Sequence, residues 1–429
     1  PAQSSWQGAA RPGRDADGAG WRIVSLAAPP LSLYVHLPWC VRKCPYCDFN
    51  SHAVPLRGIP EDAYLAALLD DLEFAARGCE DRPLVSLFFG GGTPSLFSAG
   101  SIARVVEHAT RLLGAAGGFE VTLEANPGTV ERGRFAAYRD AGVTRVSLGA
   151  QSFDDRHLAA LGRIHARVET LAAVDELRAA GLDDFNLDLM YALPGQTVDQ
   201  ALADLEQALA VGPAHVSHYQ LTLEPGTAFE RRPPVLPDDE VAWEMQLACQ
   251  SRLADAGYRH YEVSAYALPG RECRHNLNYW QFGDYLGIGA GAHGKLTDAA
   301  TATVTRTARV RQPARYLAAE RSADRLAEDR SVPAADLAFE FCLNVLRLQE
   351  GFDAASFESR TGQPWTAVAG AIAAAQSRGL LAPGAGGRWV PTELGQRFLN
   401  DLQAMFLPDT GSRASGSGSA GLASAATMG

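Results

Sequence analysis

The chain has 429 residues, 47% of them apolar, and a formal net charge of -11. That length predicts two or three domains, and the mixed charges offer no basic stripe for nucleic acid. No apolar run reaches the roughly 18 residues that a membrane span needs, and the amino end lacks a charged-then-apolar signal. Seven cysteines without a pairing rhythm read as metal chemistry in a reducing compartment, the cytoplasm by default.

Residues 1–30 are rich in Ala, Gly, Arg and Ser and are expected to be disordered. The first apolar strand is predicted at Leu31–Leu37. Directly after it come Cys40, Cys44 and Cys47, spaced C-x3-C-x2-C. A cubane iron–sulfur cluster normally takes four thiolates. Three leave one iron open, as a metal does when a ligand must bind to it. A structural zinc site would need a second cysteine pair, which is missing, and a chance group of buried thiols is the plain alternative.

Strand and helix signals then alternate. Further strands are predicted at Leu84–Phe89, Phe119–Glu124, Arg145–Leu148, Asp184–Met190 and Val216–Leu223. Helices are predicted between them, among them Glu61–Ala76 and Thr197–Leu209. Six such units predict an α/β fold, a partial (β/α)6 barrel over residues 31–300. In barrels of this kind the chemistry sits at the C-terminal strand ends. The cysteines, Gly90-Gly-Gly-Thr-Pro94, Glu124, Gln151 and Asp188 all fall there. The glycines suit close backbone approach to an amino-acid ligand, or simply make a loop. Glu124 and Asp188 suit ammonium or hydroxyl groups, or a rim salt bridge. Arg163 suits a carboxylate. His36 is expected in the barrel core.

Farther on, His275-Asn-Leu-Asn-Tyr-Trp280 precedes a glycine-rich stretch. It could face a flat aromatic ligand or ligate haem iron, or plug the barrel bottom. Residues 301–325 read as a connector and 326–405 as a helical, winged-helix-like domain with helices at Asp336–Leu346 and Trp365–Arg378 and a hairpin at Leu380–Pro383 and Arg388–Pro391. Residues 406–429 read as a flexible tail.

Together, Tyr-Val-His-Leu-Pro-Trp-Cys, Gly-Gly-Gly-Thr-Pro, Glu-Ala-Asn-Pro-Gly, Leu-Gly-Ala-Gln-Ser-Phe and Leu-Glu-Pro-Gly-Thr resemble the HemN/HemW branch of radical S-adenosylmethionine proteins. The resemblance implies a [4Fe–4S] cluster on Cys40, Cys44 and Cys47. It also implies S-adenosylmethionine contacts at Tyr34, Tyr46, Gly91, Gly92, Thr93, Glu124, Gln151, Arg163, Asp188 and Thr222. One group in this branch, the oxygen-independent coproporphyrinogen III oxidases, carries a further cysteine two residues after the third; here Phe49 stands at that position. The HemW-type haem chaperones carry the His-Asn-x-x-Tyr-Trp motif and little structured sequence before strand one. The expectation is therefore a haem chaperone, with His275 as a haem contact, rather than a decarboxylase. It implies haem as cargo, apo-haemoproteins as acceptors, membrane-associated respiratory proteins among them, and a homodimer as the assembly to test.

Overall fold

A computed structural model describes residues 12–14, 21–23, 25–79, 81–128 and 133–408. Most of the 1–30 segment expected to be disordered, and the tail from residue 409, lie outside the described residues.

Six parallel strands run in chain order: β1 (Leu31–Leu37), β2 (Leu84–Gly91), β3 (Ala115–Ala125), β4 (Arg145–Gln151), β5 (Phe185–Tyr191) and β6 (His215–Gln220). Each hydrogen-bonds to the next. The expected partial barrel is present. Its strands alternate with period two, but the sense inverts that of a packed barrel core. On β1 the apolar Leu31, Leu33, Val35 and Leu37 join the core cluster that packs against the surrounding helices, while Ser32, Tyr34 and His36 alternate with them on the other face. On β4, Val146, Leu148 and Ala150 belong to the core, whereas Arg145, Ser147, Gly149 and Gln151 line a cavity. A polar barrel interior makes a chamber, not a core.

The helices follow local capping signals. α1 (Glu61–Ala75) buries Tyr64, Leu65, Leu68 and Leu72. The helix Val198–Ala210 starts with a reciprocal cap in which Gln200 N donates to Thr197 Oγ1 at 3.3 Å and Thr197 N to Gln200 Oε1 at 2.9 Å. No helix among the described residues is long and apolar enough to cross a membrane.

The sheet extends farther than the sequence suggested. A hairpin, β7 (Arg259–Glu262) and β8 (Ala265–Ala267), adds to β6. At the other edge β9 (Asp284–Ile288) pairs parallel with β1, and β10 (His293–Asp298), β11 (Thr303–Arg309) and β12 (Leu326–Ser331) follow antiparallel. Twelve strands form one open sheet. The stretch 301–325, expected to connect two domains, thus carries β11, and the sheet runs on past residue 326. A buried pair ties this extension to α1: Arg309 Nε lies 2.8 Å from Asp71 Oδ1, and Tyr316 donates to Asp71 Oδ2 at 2.8 Å.

The helical C-terminal region comprises α2 (Ala334–Val345), α3 (Ala354–Thr361), α4 (Thr366–Ser377), a small hairpin of Leu381–Pro383 with Trp389–Pro391, and the short helices Glu393–Arg397 and Leu399–Ala404. Its own apolar cluster gathers Phe341, Phe352, Phe357, Ile372 and Leu402 around Phe282 from the barrel side. Phe341 meets Phe282, Phe352 and Phe357 edge-on at 5.7, 5.5 and 5.4 Å.

Candidate functional site

One cavity of about 850 Å³ opens at the C-terminal ends of the barrel strands. Cys40, Cys44, Cys47, Tyr46, Gly91, Gly92, Thr93, Glu124, Gln151, Arg163, Asp188 and Thr222 all line it. Residues spread over 183 positions of sequence, from Cys40 to Thr222, therefore meet at one chamber. Tyr34 and His275 do not line it.

The cysteine loop is braced from several sides. Trp39–Cys40 pairs with His52–Ala53, and Cys47 N donates to Cys44 O at 3.2 Å. His36, buried beside the loop, donates from Nε2 to Asn50 O (3.0 Å), and its Nδ1 accepts from the Tyr34 hydroxyl (3.0 Å). Burial holds its imidazole neutral, with the pKa pushed down to about 4. Asn50 Nδ2 in turn donates to Ala290 O at 2.8 Å and Arg311 O at 2.9 Å. The glycine-rich stretch after Gly287 is thus a brace for the cysteine loop. Burial raises the Cys40 thiol and pushes Cys47 up to about 11. Binding to a metal must displace these protons. Among the described residues no three His, Cys, Asp or Glu side chains converge on a single-ion site. A cubane asks for something else, one thiolate on each of three separate irons.

The glycines have a partly different role from the expected one. A Cβ on Gly91, whose φ is +114°, would meet the His36 ring at 2.5 Å, and one on Gly92 would meet the Trp39 carbonyl oxygen at 2.5 Å. They let β2 close against the end of β1, and Gly92 N and Thr93 N donate to Leu37 O and Trp39 O at 2.9 and 2.8 Å. Close approach to a ligand comes in addition to this packing.

Two carboxylates share the chamber. Glu124 accepts from Gly91 N at 3.1 Å, and burial together with the nearby Asp188 pushes its carboxyl up to about 8. Burial also raises Asp188, against hydrogen bonds from Asn186 (2.7 Å) and Ser147 (3.3 Å). Two acids held above their ordinary range in one chamber fit a cationic ligand, which would restore their charge. Arg163 donates to Gly149 O at 2.7 Å and to Asn126 Oδ1, and Asn126 donates to Thr93 at 2.9 Å. Its other terminal nitrogen lies 3.8 Å from Cys44 Sγ. Gln151 sits at the end of β4 with a φ of 65°, a backbone that side chains other than glycine rarely adopt. Its side chain accepts from Tyr219 at 2.8 Å. Thr222 lies exposed beyond β6, bonded to Glu224 at 2.7 Å.

Sequence reasoning passed over Asn126, Ser147, Asn186, Ser217 and Tyr219. A signal was available: each stands two residues from a site residue or on the same face of a barrel strand.

His275 is placed elsewhere. It lies on the helix Arg274–Trp280, across the N-terminal side of the barrel; its Nδ1 lies 3.0 Å from Ser86 Oγ and its ring 5.0 Å from that of Phe88. Burial pushes its pKa down to about 3. Asn278 donates to Ser32 Oγ and Asp284 O at 2.8 and 2.9 Å, and Trp280 is buried under the Arg347 guanidinium at 4.2 Å. The motif plugs the barrel bottom.

Residues 34–208 match the radical SAM superfamily and residues 332–398 the HemN C-terminal domain. The haem chaperone HemW of Haemophilus influenzae is 49% identical over 385 residues, covering 89% of this chain and 99% of that protein. The chain belongs to the HemW family. HemW of Escherichia coli is 46% identical over 382 residues, again with 89% and 99% covered. The solved structure of coproporphyrinogen III oxidase (HemN) from Escherichia coli matches the fold with a TM-score of 0.73 at 20% identity, covering 88% of this chain and 90% of that one. At that identity it speaks for the fold alone, so the HemW relatives carry the family assignment.

Proposed function

We propose that this protein binds haem and passes it to apo-haemoproteins, with a [4Fe–4S] cluster and S-adenosylmethionine held at the barrel mouth. The observation that carries the reading is the 49% identity to a haem chaperone over 385 residues, nearly the whole length of that relative. Phe49, two residues after the third cysteine, supports it against coproporphyrinogen decarboxylation, for which the resemblance calls for a cysteine there.

Cys40, Cys44 and Cys47 would each hold one iron, leaving a fourth for the amino-acid end of S-adenosylmethionine. A bound, reduced cluster supplies one electron to the sulfonium. The chain's own residues bind and orient. Glu124 and Asp188 take the ammonium and ribose hydroxyl groups, Gln151 is held in place by Tyr219, and Arg163 keeps a positive charge beside the Cys44 sulfur. The backbone at Gly91, Gly92 and Thr93 borders the ligand, with Tyr46 and Thr222 at the rim. The thiols of Cys40, Cys44 and Cys47 suit a reducing compartment such as the cytoplasm.

The test is anaerobic reconstitution followed by haem titration and transfer to an apo-globin. A stoichiometric Soret change and haem appearing in the globin are expected. A cluster-loaded protein that leaves the haem spectrum unchanged would remove the reading, and conversion of coproporphyrinogen III would replace it.

A further inference from the structure

The helix Arg274–Trp280 shares its polar side chains with two serines of the barrel. Ser32 of β1 and Ser86 of β2 are register partners, and strand alternation turns both toward the interior. Their hydroxyl oxygens lie 2.7 Å apart, and the residues are 1% and 0% exposed. Hydroxyl groups buried this deeply cost stability unless they are hydrogen-bonded. Here the bonds lead to the helix. His275 and Asn278 stand three residues apart on it, close enough to act on one face. Asn278 Nδ2 donates to Ser32 Oγ at 2.8 Å, and Ser86 Oγ lies 3.0 Å from His275 Nδ1. Asn278 is itself fixed, since the same nitrogen donates to the Asp284 carbonyl at 2.9 Å.

The two ring nitrogens of His275 differ. Nδ1 is held by Ser86, whereas Nε2 takes no hydrogen bond among the described residues and is not enclosed. His36 and His215, also on the inner face of the barrel, spend both ring nitrogens on hydrogen bonds. A metal-ligating imidazole has the first pattern: one nitrogen for the metal, the other donated to a neighbour that fixes tautomer and ring angle. Phe88 and Tyr34 flank the ring at 5.0 and 6.3 Å.

We propose that Ser86, held by Ser32 and Asn278, is the positioning residue for haem ligation by His275. Its hydroxyl oxygen accepts the Nδ1 proton, which leaves the Nε2 lone pair for the iron. The inference rests on the haem reading above, with His275 as the contact that the family resemblance implies. A serine hydroxyl can donate as well as accept, so Ser86 can serve the imidazole before and after iron binds. Once Nε2 is on the iron, Nδ1 carries the only ring proton, and Ser86 is the acceptor at hand. Accepting that proton raises the basicity of the ligand, which strengthens the iron–nitrogen bond and favours ferric over ferrous haem.

The experiment titrates haem, and in parallel iron-free protoporphyrin IX, into the cluster-loaded full chain and into Ser86→Ala, Ser86→Thr, Ser32→Ala and His275→Ala. Resonance Raman reads the iron–histidine stretch of the ferrous adduct, potentiometry reads the haem midpoint, and S-adenosylmethionine binding reports folding. Ser86→Ala should lower the stretching frequency, raise the midpoint potential and weaken haem by about tenfold. Iron-free porphyrin should bind it as it binds wild type, because no axial bond is involved. Ser86→Thr keeps the hydroxyl and should keep the wild-type band. Ser32→Ala should shift the band in the same direction as Ser86→Ala, by less. A serine that served folding alone would move both porphyrins together and leave the band in place. Should Ser86→Ala misfold, Ser32→Ala decides: a lowered band supports the role of Ser86, and an unchanged one overturns it. An unchanged band and potential in folded Ser86→Ala overturn it while the haem reading stands. A band that survives His275→Ala puts the ligand elsewhere and overturns it as well. A wild-type protein that binds no haem removes both.

Discussion

Arg163 places one terminal nitrogen 3.8 Å from the sulfur of Cys44 while its other is anchored on the Gly149 carbonyl at 2.7 Å. A fixed positive charge beside a cluster thiolate favours the more negative, reduced cluster. Arg163→Met should therefore lower the reduction potential of the reconstituted cluster without changing its iron content. A potentiometric titration followed by the cluster's electron paramagnetic resonance signal checks this. An unchanged potential in a fully loaded variant would mean that the guanidinium only braces Asn126 and Gly149.

Glu124 gives the pH dependence of cofactor binding. Its carboxyl, pushed up to about 8 by burial and by Asp188, is protonated in the free site at neutral pH. A cationic ammonium binds the ionised form better, so binding should release up to one proton below pH 8. Affinity for S-adenosylmethionine should fall as pH drops below 8, approaching about tenfold per unit. The sign for folding is opposite. The unfolded chain loses this proton in the ordinary carboxylate range while the folded chain keeps it to about 8, so stability falls as pH rises between those limits and the ligand restores it. Calorimetry in buffers of different ionisation enthalpy reads the proton release. Glu124→Gln should abolish the pH slope, and a slope that survives it would assign the effect to Asp188.

The barrel and most of its rim were legible in the sequence because strand ends carry chemistry and the strand signals were clear. Nine S-adenosylmethionine contacts expected from the resemblance, together with the three cysteines, line one cavity. Tyr34 escaped that pattern: it lies behind Gly90, where a Cβ would meet its ring at 3.0 Å, and its hydroxyl serves His36. β11 was missed because Thr303–Arg309 reads as Thr- and Arg-rich connector. Its Arg309 and Arg306 are held by ion pairs with Asp71 of α1 and Glu340 of α2, which no local periodicity reports.

The Asp71–Arg309 pair tests whether that extension is part of the barrel's stability. Both side chains are at most 3% exposed, and Tyr316 and Gly289 also bond to the carboxylate. Arg309→Met leaves a buried carboxylate without its cation and should destabilise the protein by about 3–5 kcal/mol. Adding Asp71→Asn should recover part of that loss. Denaturant unfolding of the single and double variants measures it. Equal loss in both would mean that packing of the Arg309 stem, not its charge, matters.

Asn50 links cofactor retention to the far edge of the sheet. Its Nδ2 donates to Ala290 O at 2.8 Å and Arg311 O at 2.9 Å, and its own carbonyl meets His36 at 3.0 Å. Only a glycine fits opposite it, since a Cβ on Gly291 would meet Asn50 Nδ2 at 2.3 Å. Asn50→Ala removes two hydrogen bonds, about 1 kcal/mol each, and frees the segment that follows Cys47. The cluster of this variant should bleach severalfold faster in the presence of an iron chelator. Asn50→Asp should be worse than alanine, because a carboxylate would face two carbonyl oxygens. Bleaching followed by the cluster's visible absorbance gives the order. Equal rates for wild type and both variants would show that the loop holds the cluster without this brace.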